Sequence, residues 1–449
     1  MMTMVSWLMK MIGIHKKGEG EGEEGNEEEV EERARAQLLP SDMVRFIAGQ
    51  VTIPERVRLG AVCTSWSSAL KEGGENGELL RFPPMPAIFL YELNLGWMLA
   101  LSVLRLARRL SKKNLFISHR LRSVRRTLSL YNHPEKRRYH LSLPPDTLDC
   151  YGCCDGWLVL EDVKPRKLSL FNPATQAQIY LPTLTTTTKY YIQKVVLSAS
   201  PTADPDGFVA VAVYNVYHPD QTFGRVAFYR PGDEEWAPIC SLPFSLWKSL
   251  LMDLAYHDNT FFLLSRYHGL FTFDLTGPSP VVFEYEDSTV NDINGAVDNI
   301  FLVSSRASGD LLCVKGEMFN TTLEQYKSFA IKRFDPEAAE GSSCWVEIKE
   351  LGDQSLFLGS VNSMSLPSSM DAATKGNCIY FMEKQFMGES FPKNKFMKWL
   401  LGIRRDYRMW SYRFVKAYDV EQGIINTIFE FEENNAMAFK GMWFLPSLL

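Results

Sequence analysis

The sequence has no apolar run long enough to span a bilayer as a helix. Its best candidate, Leu93–Leu106, is apolar for about a dozen residues, short of the ~20 that a crossing needs. A secretory leader is not expected either. Met4–Ile14 is apolar in part, but Lys10 interrupts it, and no small-residue cleavage site precedes the glutamates that follow. The same glutamates argue against a transit peptide, which should be poor in acid. Cysteine is too sparse for a disulfide framework: eight residues, at 63, 150, 153, 154, 240, 313, 344 and 378, are spread over 449. Reduced thiols in the nucleus and/or cytoplasm are the expectation.

Recognisable catalytic motifs are missing as well. There is no GxSxG elbow, no HExxH and no Walker loop, and only seven histidines. His257 and His268 sit in strand-rich hairpins with no sequence-local acid that singles out either, so both read as structural or surface residues. Cys150-x-x-Cys153-Cys154 has two thiols at a metal-binding spacing, but a structural zinc site takes four ligands and no second pair follows. Small residues before a strand are the simpler reading, because Asp155-Gly156 is a turn signal feeding Trp157–Leu160. Gly20-x-Gly22-x-x-Gly25 matches a nucleotide fingerprint only nominally, since no strand precedes it and its glutamates would repel phosphate. Asn320-Thr321-Thr322 is a glycosylation acceptor that a protein without a leader would not use. The expectation is a protein that is not an enzyme, with no cofactor and no metal. An enzyme with a cryptic site formed by distant carboxylates remains the third reading.

Charge is present but segregated. Net charge is −5, so the whole chain is no polyanion binder. Every ionisable residue from Glu19 to Glu32 is Glu, and no carboxylate lies between Glu92 and Glu135. Residues 1–36 therefore read as a disordered acidic tail with little to bury. Residues 83–126 read as a linker, Pro83-Pro84-Met85-Pro86, followed by a basic insert. There Trp97, Leu101, Leu104 and Leu110 form one face of an amphipathic helix with Arg105, Arg108, Arg109, Lys112 and Lys113 around it. Few aromatics interleave with these bases, so neither a nucleic acid nor a membrane is the predicted partner.

Two structured regions flank this insert. In residues 37–82, Met43, Phe46, Ile47 and Val51 fall at helical spacing after Pro40, Ser41 and Asp42. A second helical set holds Val57, Leu59, Ala61, Val62, Trp66 and Leu70. Such a hairpin is too small to bury all its apolar side chains alone. Residues 127–449 are short runs of Val, Ile, Phe, Tyr and Leu between Gly, Pro, Asn and Asp, the signal of many strands joined by turns. One pattern recurs: an apolar pair, then Asn, Asp or Arg, often Pro, then a polar loop and a second strand. It appears as Leu130-Tyr131-Asn132-His133-Pro134, Leu170-Phe171-Asn172-Pro173, Phe228-Tyr229-Arg230-Pro231-Gly232, Phe271-Thr272-Phe273-Asp274, Arg333-Phe334-Asp335-Pro336 and Ala417-Tyr418-Asp419. Recurrence every 40 to 85 residues suits a mainly β chain, a β-propeller of about six or seven blades, each repeat being the outer half of one blade. A β-sandwich pair is the rival.

Residue patterns at both ends carry a resemblance. Leu39-Pro40, Met43, Ile47, Val51, Leu59, Val62-Cys63 and Trp66 resemble an F-box in order and spacing. Thr64 stands where a base is common, and Gly49 and Gly60 where better helix formers are expected. Cys154-Asp155-Gly156-Trp157-Leu158, Leu170–Thr175 with Leu181-Pro182, Trp345-Val346 with Leu351–Gly359, and Gly376–Phe381 resemble the plant F-box-associated family called domain of unknown function 295. The resemblance implies a small all-α F-box-like helical domain before a β-propeller. It also implies a role as the substrate-receptor subunit of a Skp–cullin–F-box ubiquitin ligase. The residues at 39, 40, 43, 47, 51, 59, 62, 63 and 66 would then bind a Skp-type adaptor and through it cullin, and the propeller would bind an unknown protein substrate. The alternative is a propeller interaction module whose degenerate F-box no longer engages the ligase.

Overall fold

Turn chemistry sets the registers. Asp155 and Gly156 have φ of 40° and 85°, the left-handed pair of a two-residue hairpin that matches the twist of the flanking strands. Asp258 and Asn259, at 44° and 59°, do the same in another hairpin. The structure, a computed structural model, describes residues 40–41, 43–44, 64–71 and 87–94. It also describes 127–444, with short breaks and longer ones at 240–250, 286–298 and 390–407.

The described strands form a ring of sheets within residues 85–445. Blade 1 holds β1 (Ala87–Asn94), β2 (Thr127–Asn132) and β3 (Arg137–Leu141). Blade 2 is β4 (Thr147–Cys154), β5 (Trp157–Asp162), β6 (Leu168–Phe171) and β7 (Gln178–Tyr180). Blade 3 is β8 (Tyr190–Leu197), β9 (Ala210–Tyr217), β10 (Thr222–Tyr229) and β11 (Ala237–Pro238). Blade 4 is β12 (Leu251–His257), β13 (Thr260–Ser265), β14 (Gly269–Asp274) and β15 (Val281–Tyr285). Blade 5 is β16 (Asn299–Ser304), β17 (Leu311–Asn320), β18 (Gln325–Phe334) and β19 (Trp345–Ile348). The remaining sheet has five strands: β20 (Gln354–Leu358), β21 (Met364–Pro367), β22 (Cys378–Glu389), β23 (Arg408–Asp419) and β24 (Ile424–Glu430), in the order β21-β20-β22-β23-β24. The last strand, β25 (Ala436–Phe444), returns to pair antiparallel with β1 and completes four strands in blade 1.

Five regular four-stranded antiparallel blades are therefore present, fewer than the six or seven expected. The sixth repeat lies in the five-stranded sheet, where β20 and β22 run parallel and β21 is added at the edge. The expected repeat is legible in the geometry: every occurrence ends the next-to-outermost strand of its sheet and turns into the outermost one. Successive repeats are also tied together. The Trp236 indole donates to the Pro182 carbonyl at 2.8 Å, and Arg230 Nη2 donates to the carbonyls of Leu275 and Gly277 at 2.7 and 2.6 Å.

Inner-blade strands are buried on both faces, so alternate residues serve different neighbours. Ala210, Ala212 and Tyr214 of β9 pack with Tyr151, Val159 and Leu170 of blade 2. Val211 and Val213 pack with Leu254, Phe261 and Phe271 of blade 4. This accounts for the continuous Val-Ala-Val-Ala-Val run.

The propeller begins at Ala87, which corrects the expected boundary at 127. Ala87–Asn94, read as part of the linker and insert, is a strand because β25 and β2 sandwich it in one sheet. Its apolar run Ala-Ile-Phe-Leu-Tyr between Pro86 and Asn94 suits that position. The proposed helix face from Trp97 to Leu110, the acidic tail, the Gly20–Gly25 pattern and His268 lie outside the described residues. So does most of the F-box-like segment. Within it, α1 (Thr64–Lys71) is an α-helix, with Trp66 and Ala69 buried at i, i+3 spacing and Ser65 and Ser68 exposed.

Candidate functional site

Three inner strands meet at one carboxylate. Lys194 Nζ of β8 lies 2.5 Å from Asp253 Oδ1 of β12, both side chains being at most one-tenth exposed. The Leu254 amide donates to the same oxygen, and the Leu302 amide of β16 donates to Oδ2, each at 2.8 Å. Asp253 and Ser360 line two adjoining openings of about 240 and 180 Å³. One also carries Tyr191 and Gln193, the other Asn299 and Tyr326. With a cation and two amides converging on it, Asp253 is committed to holding blades 3, 4 and 5 in register. Three of its roughly four acceptor positions are taken in this way, which spends most of its hydrogen-bonding capacity on the frame.

A larger groove, about 480 Å³, lies between blades 4 and 5. Its floor is aromatic. Phe334, at the end of β18, meets Phe262 of β13 and Tyr285 of β15 edge-to-face, at 5.3 Å between ring centroids in both cases. Phe283, on the edge strand β15, is 58% exposed beside it. Turn residues form the rim: Asp258 from the β12–β13 hairpin, Asp274 at the end of β14, and Gly309 and Asp310 from the β16–β17 hairpin. His257 Nδ1 sits 3.0 Å from Ser304 Oγ across the two blades. Burial draws the imidazole below its ordinary range, against the raising effect of Asp258 and Asp310, which leaves it neutral at neutral pH.

Of the residues expected to bind an adaptor, Pro40 and Met43 are exposed, Met43 to 51%. Trp66 is not on an open surface; it is 1% exposed. Leu39, Ile47, Val51, Leu59, Val62 and Cys63 lie outside the described residues. The cysteine cluster reads as packing. Cys150 Sγ lies 3.8 Å from Met442 Sδ, and Cys153 Sγ is 3.5 Å from the Trp443 carbonyl. Burial raises the Cys153 thiol well above its usual range, which disfavours the thiolate that a metal or an electrophile would need. Among the described residues no His, Cys, Asp and Glu group is arranged to hold a metal, and no helix is long and apolar enough to cross a membrane.

The family description KIB1-4 beta-propeller matches residues 130–411, more than half of the chain. The chain belongs to the KIB1-4 beta-propeller family. No curated protein matches it. Among solved structures it resembles the WD40 domain of SCAP from fission yeast, at 11% identity, covering 68% of this chain and 79% of that one, with a TM-score of 0.26. It also resembles a fructofuranosidase from Schwanniomyces occidentalis, at 10% identity, covering 62% and 58%, with a TM-score of 0.28. Scores this low carry no argument about function. The family match starts well after residues 38–72 and so does not bear on the F-box-like segment. A β-propeller domain of this kind is suited to protein interaction, since its loops present a wide surface on a rigid frame.

In this KIB1-4 propeller, the two halves of the Leu351–Phe381 motif lie side by side. Ser355, Leu356, Phe357 and Leu358 pair in parallel with Cys378, Ile379, Tyr380 and Phe381. Asn377 holds the junction: its Oδ1 accepts from the Leu351 amide at 2.8 Å, its amide donates to the Gln354 carbonyl at 2.8 Å, and its carbonyl accepts from Val420 at 3.0 Å. Its φ of 56° is left-handed, a conformation that Asn tolerates and Ala resists. Asn377→Ala is expected to cost about 1–3 kcal/mol through the lost acceptor and the strained φ. Asn377→Gly should recover part of that loss. Urea unfolding of the three proteins checks the order, and equal midpoints for Ala and Gly would show that φ contributes nothing.

Proposed function

We propose that this KIB1-4 propeller is a non-catalytic substrate-receptor subunit of a Skp–cullin–F-box ubiquitin ligase, acting in the nucleus and/or cytoplasm. The observation that carries the reading is the Leu39-Pro40 to Trp66 pattern ahead of a propeller built for protein contacts. In this reading the F-box-like segment binds a Skp-type adaptor and through it cullin. The propeller holds the substrate close to the ubiquitin-charged enzyme and raises its effective concentration there. Exposed Met43 supports it, because an apolar side chain left on the surface of a short helical unit is available to a helical partner.

A second reading is favoured by the burial of Trp66: the helices serve the chain's own packing, and the propeller binds partners without the ligase. Affinity purification of the tagged full chain separates the two. Under the receptor reading adaptor and cullin co-purify, and Leu39→Ala/Met43→Ala lowers their recovery by about tenfold or more. Trp66 is left intact in that variant because its burial makes it a folding residue. Absence of adaptor, or unchanged recovery with the variant, favours the second reading.

A further inference from the structure

We propose that the groove between blades 4 and 5 is the docking site for a lysine- or arginine-bearing segment of the protein partner. Three observations converge on it. The volume, about 480 Å³, suits a long side chain and part of its backbone. Phe262, Phe334 and Tyr285 give an apolar floor on which the stem of a long basic side chain can pack, and exposed Phe283 extends this surface outward with a ring that a cation can approach. Asp258, Asp274 and Asp310 stand around the rim, and among the described residues no ion pair joins any of the three to a lysine or arginine. The contrast with Asp253 is direct: that carboxylate is buried against its own lysine, and these three face the groove without one. Asp274 accepts from the Thr276 amide and hydroxyl at 2.9 and 2.6 Å, which keeps it ionised. His257, neutral and bonded to Ser304, brings no positive charge of its own. An acidic segment would be repelled by these carboxylates and a purely apolar one would strip their water without replacing it, so charge complementarity selects a basic occupant.

The inference rests on the receptor reading only in assuming a protein partner. Its test is fluorescence anisotropy with the full chain and two labelled peptides of equal length, one of alternating Arg and Gly and one of alternating Glu and Gly. The basic peptide is expected to bind, and to weaken between about 50 and about 500 mM salt. Asp258→Asn/Asp310→Asn should lower its affinity about tenfold, and Phe283→Ala about threefold. Glu234→Gln/Glu235→Gln, which removes two exposed charges elsewhere on the propeller, should leave it unchanged. The proposal is overturned if both groove variants bind within about twofold of wild type, if the Glu234/Glu235 variant loses as much, or if the acidic peptide binds equally well. Adaptor recovery should be the same with wild type and groove variants. A lost adaptor with intact groove binding therefore sinks the ligase reading alone, and the reverse pattern sinks the groove alone.

Discussion

Trp443→Ala is expected to be among the most damaging single substitutions in the propeller, costing about 3–5 kcal/mol. The residue lies in β25, the strand that closes the ring, and is 2% exposed. Its indole N–H donates to the Leu358 carbonyl at 2.8 Å, and its ring meets Phe357 edge-to-face at 5.1 Å. The Trp443 carbonyl in turn accepts from Asn362 Nδ2 at 2.7 Å. One residue thus joins the last strand of blade 1 to the five-stranded sheet. Gly359 is part of the same latch: a Cβ there would come within 2.8 Å of the Asn362 backbone carbonyl, closer than real Cβ contacts allow, and would crowd the indole at 3.2 Å. Truncation to alanine opens a cavity and leaves the Leu358 carbonyl without its donor. Trp443→Phe keeps most of the volume and loses only the hydrogen bond, so it should retain well over half of the stability that alanine forfeits. Denaturant unfolding followed by tryptophan fluorescence and by far-UV circular dichroism reads both. If alanine and phenylalanine unfold at the wild-type midpoint, closure does not run through this residue.

A comparable loss, about 3–5 kcal/mol, is expected for Asp253→Ala. It strands the Lys194 ammonium, itself about one-tenth exposed, and two backbone amides, from Leu254 and Leu302. Asp253→Asn should be milder, since one amide oxygen still accepts from the backbone, yet it leaves the lysine unpaired. Pairing it with Lys194→Met removes the stranded charge, and Lys194→Met/Asp253→Asn should regain part of what Asp253→Asn loses. A double-mutant cycle by urea unfolding measures the coupling. Additive effects within about 0.5 kcal/mol would mean that the pair contributes no mutual stabilisation.

What the sequence made legible was local. The Asn-Pro and Asp-Pro repeats stand out because a turn is decided by a few adjacent residues, and Asp155-Gly156 is a hairpin in the structure for the reason its composition implies. The Leu351–Phe381 motif stood out as well, although nothing in it announced that its halves would pair in parallel across the intervening β21. Ala87–Asn94 was misread because its partner β25 lies at the far end of the sequence, and no local signal distinguishes a strand awaiting such a partner from a linker. The count of regular blades fell short of the six repeats because strand texture does not reveal that the sixth repeat belongs to a five-stranded sheet with a parallel β20–β22 pair. The groove was illegible for a similar reason. Asp258, Asp274 and Asp310 come from three turns on two blades, and each looks alone like an ordinary turn acid. Lys194 likewise reads as a stray charge in Tyr-Tyr-Ile-Gln-Lys-Val-Val-Leu until Asp253 is seen opposite.

The return of β25 to β1 also bears on how the protein is made. The strand that completes the first blade is the last of the described strands to leave the ribosome. During synthesis β1 and β2 must wait with an open edge while every other blade is translated, a period in which chaperones or neighbouring nascent chains can claim that edge. A premature stop codon just before Ala436 would leave the ring without its closing strand while every other described strand is made. Late nonsense alleles should therefore behave like early ones in protein abundance.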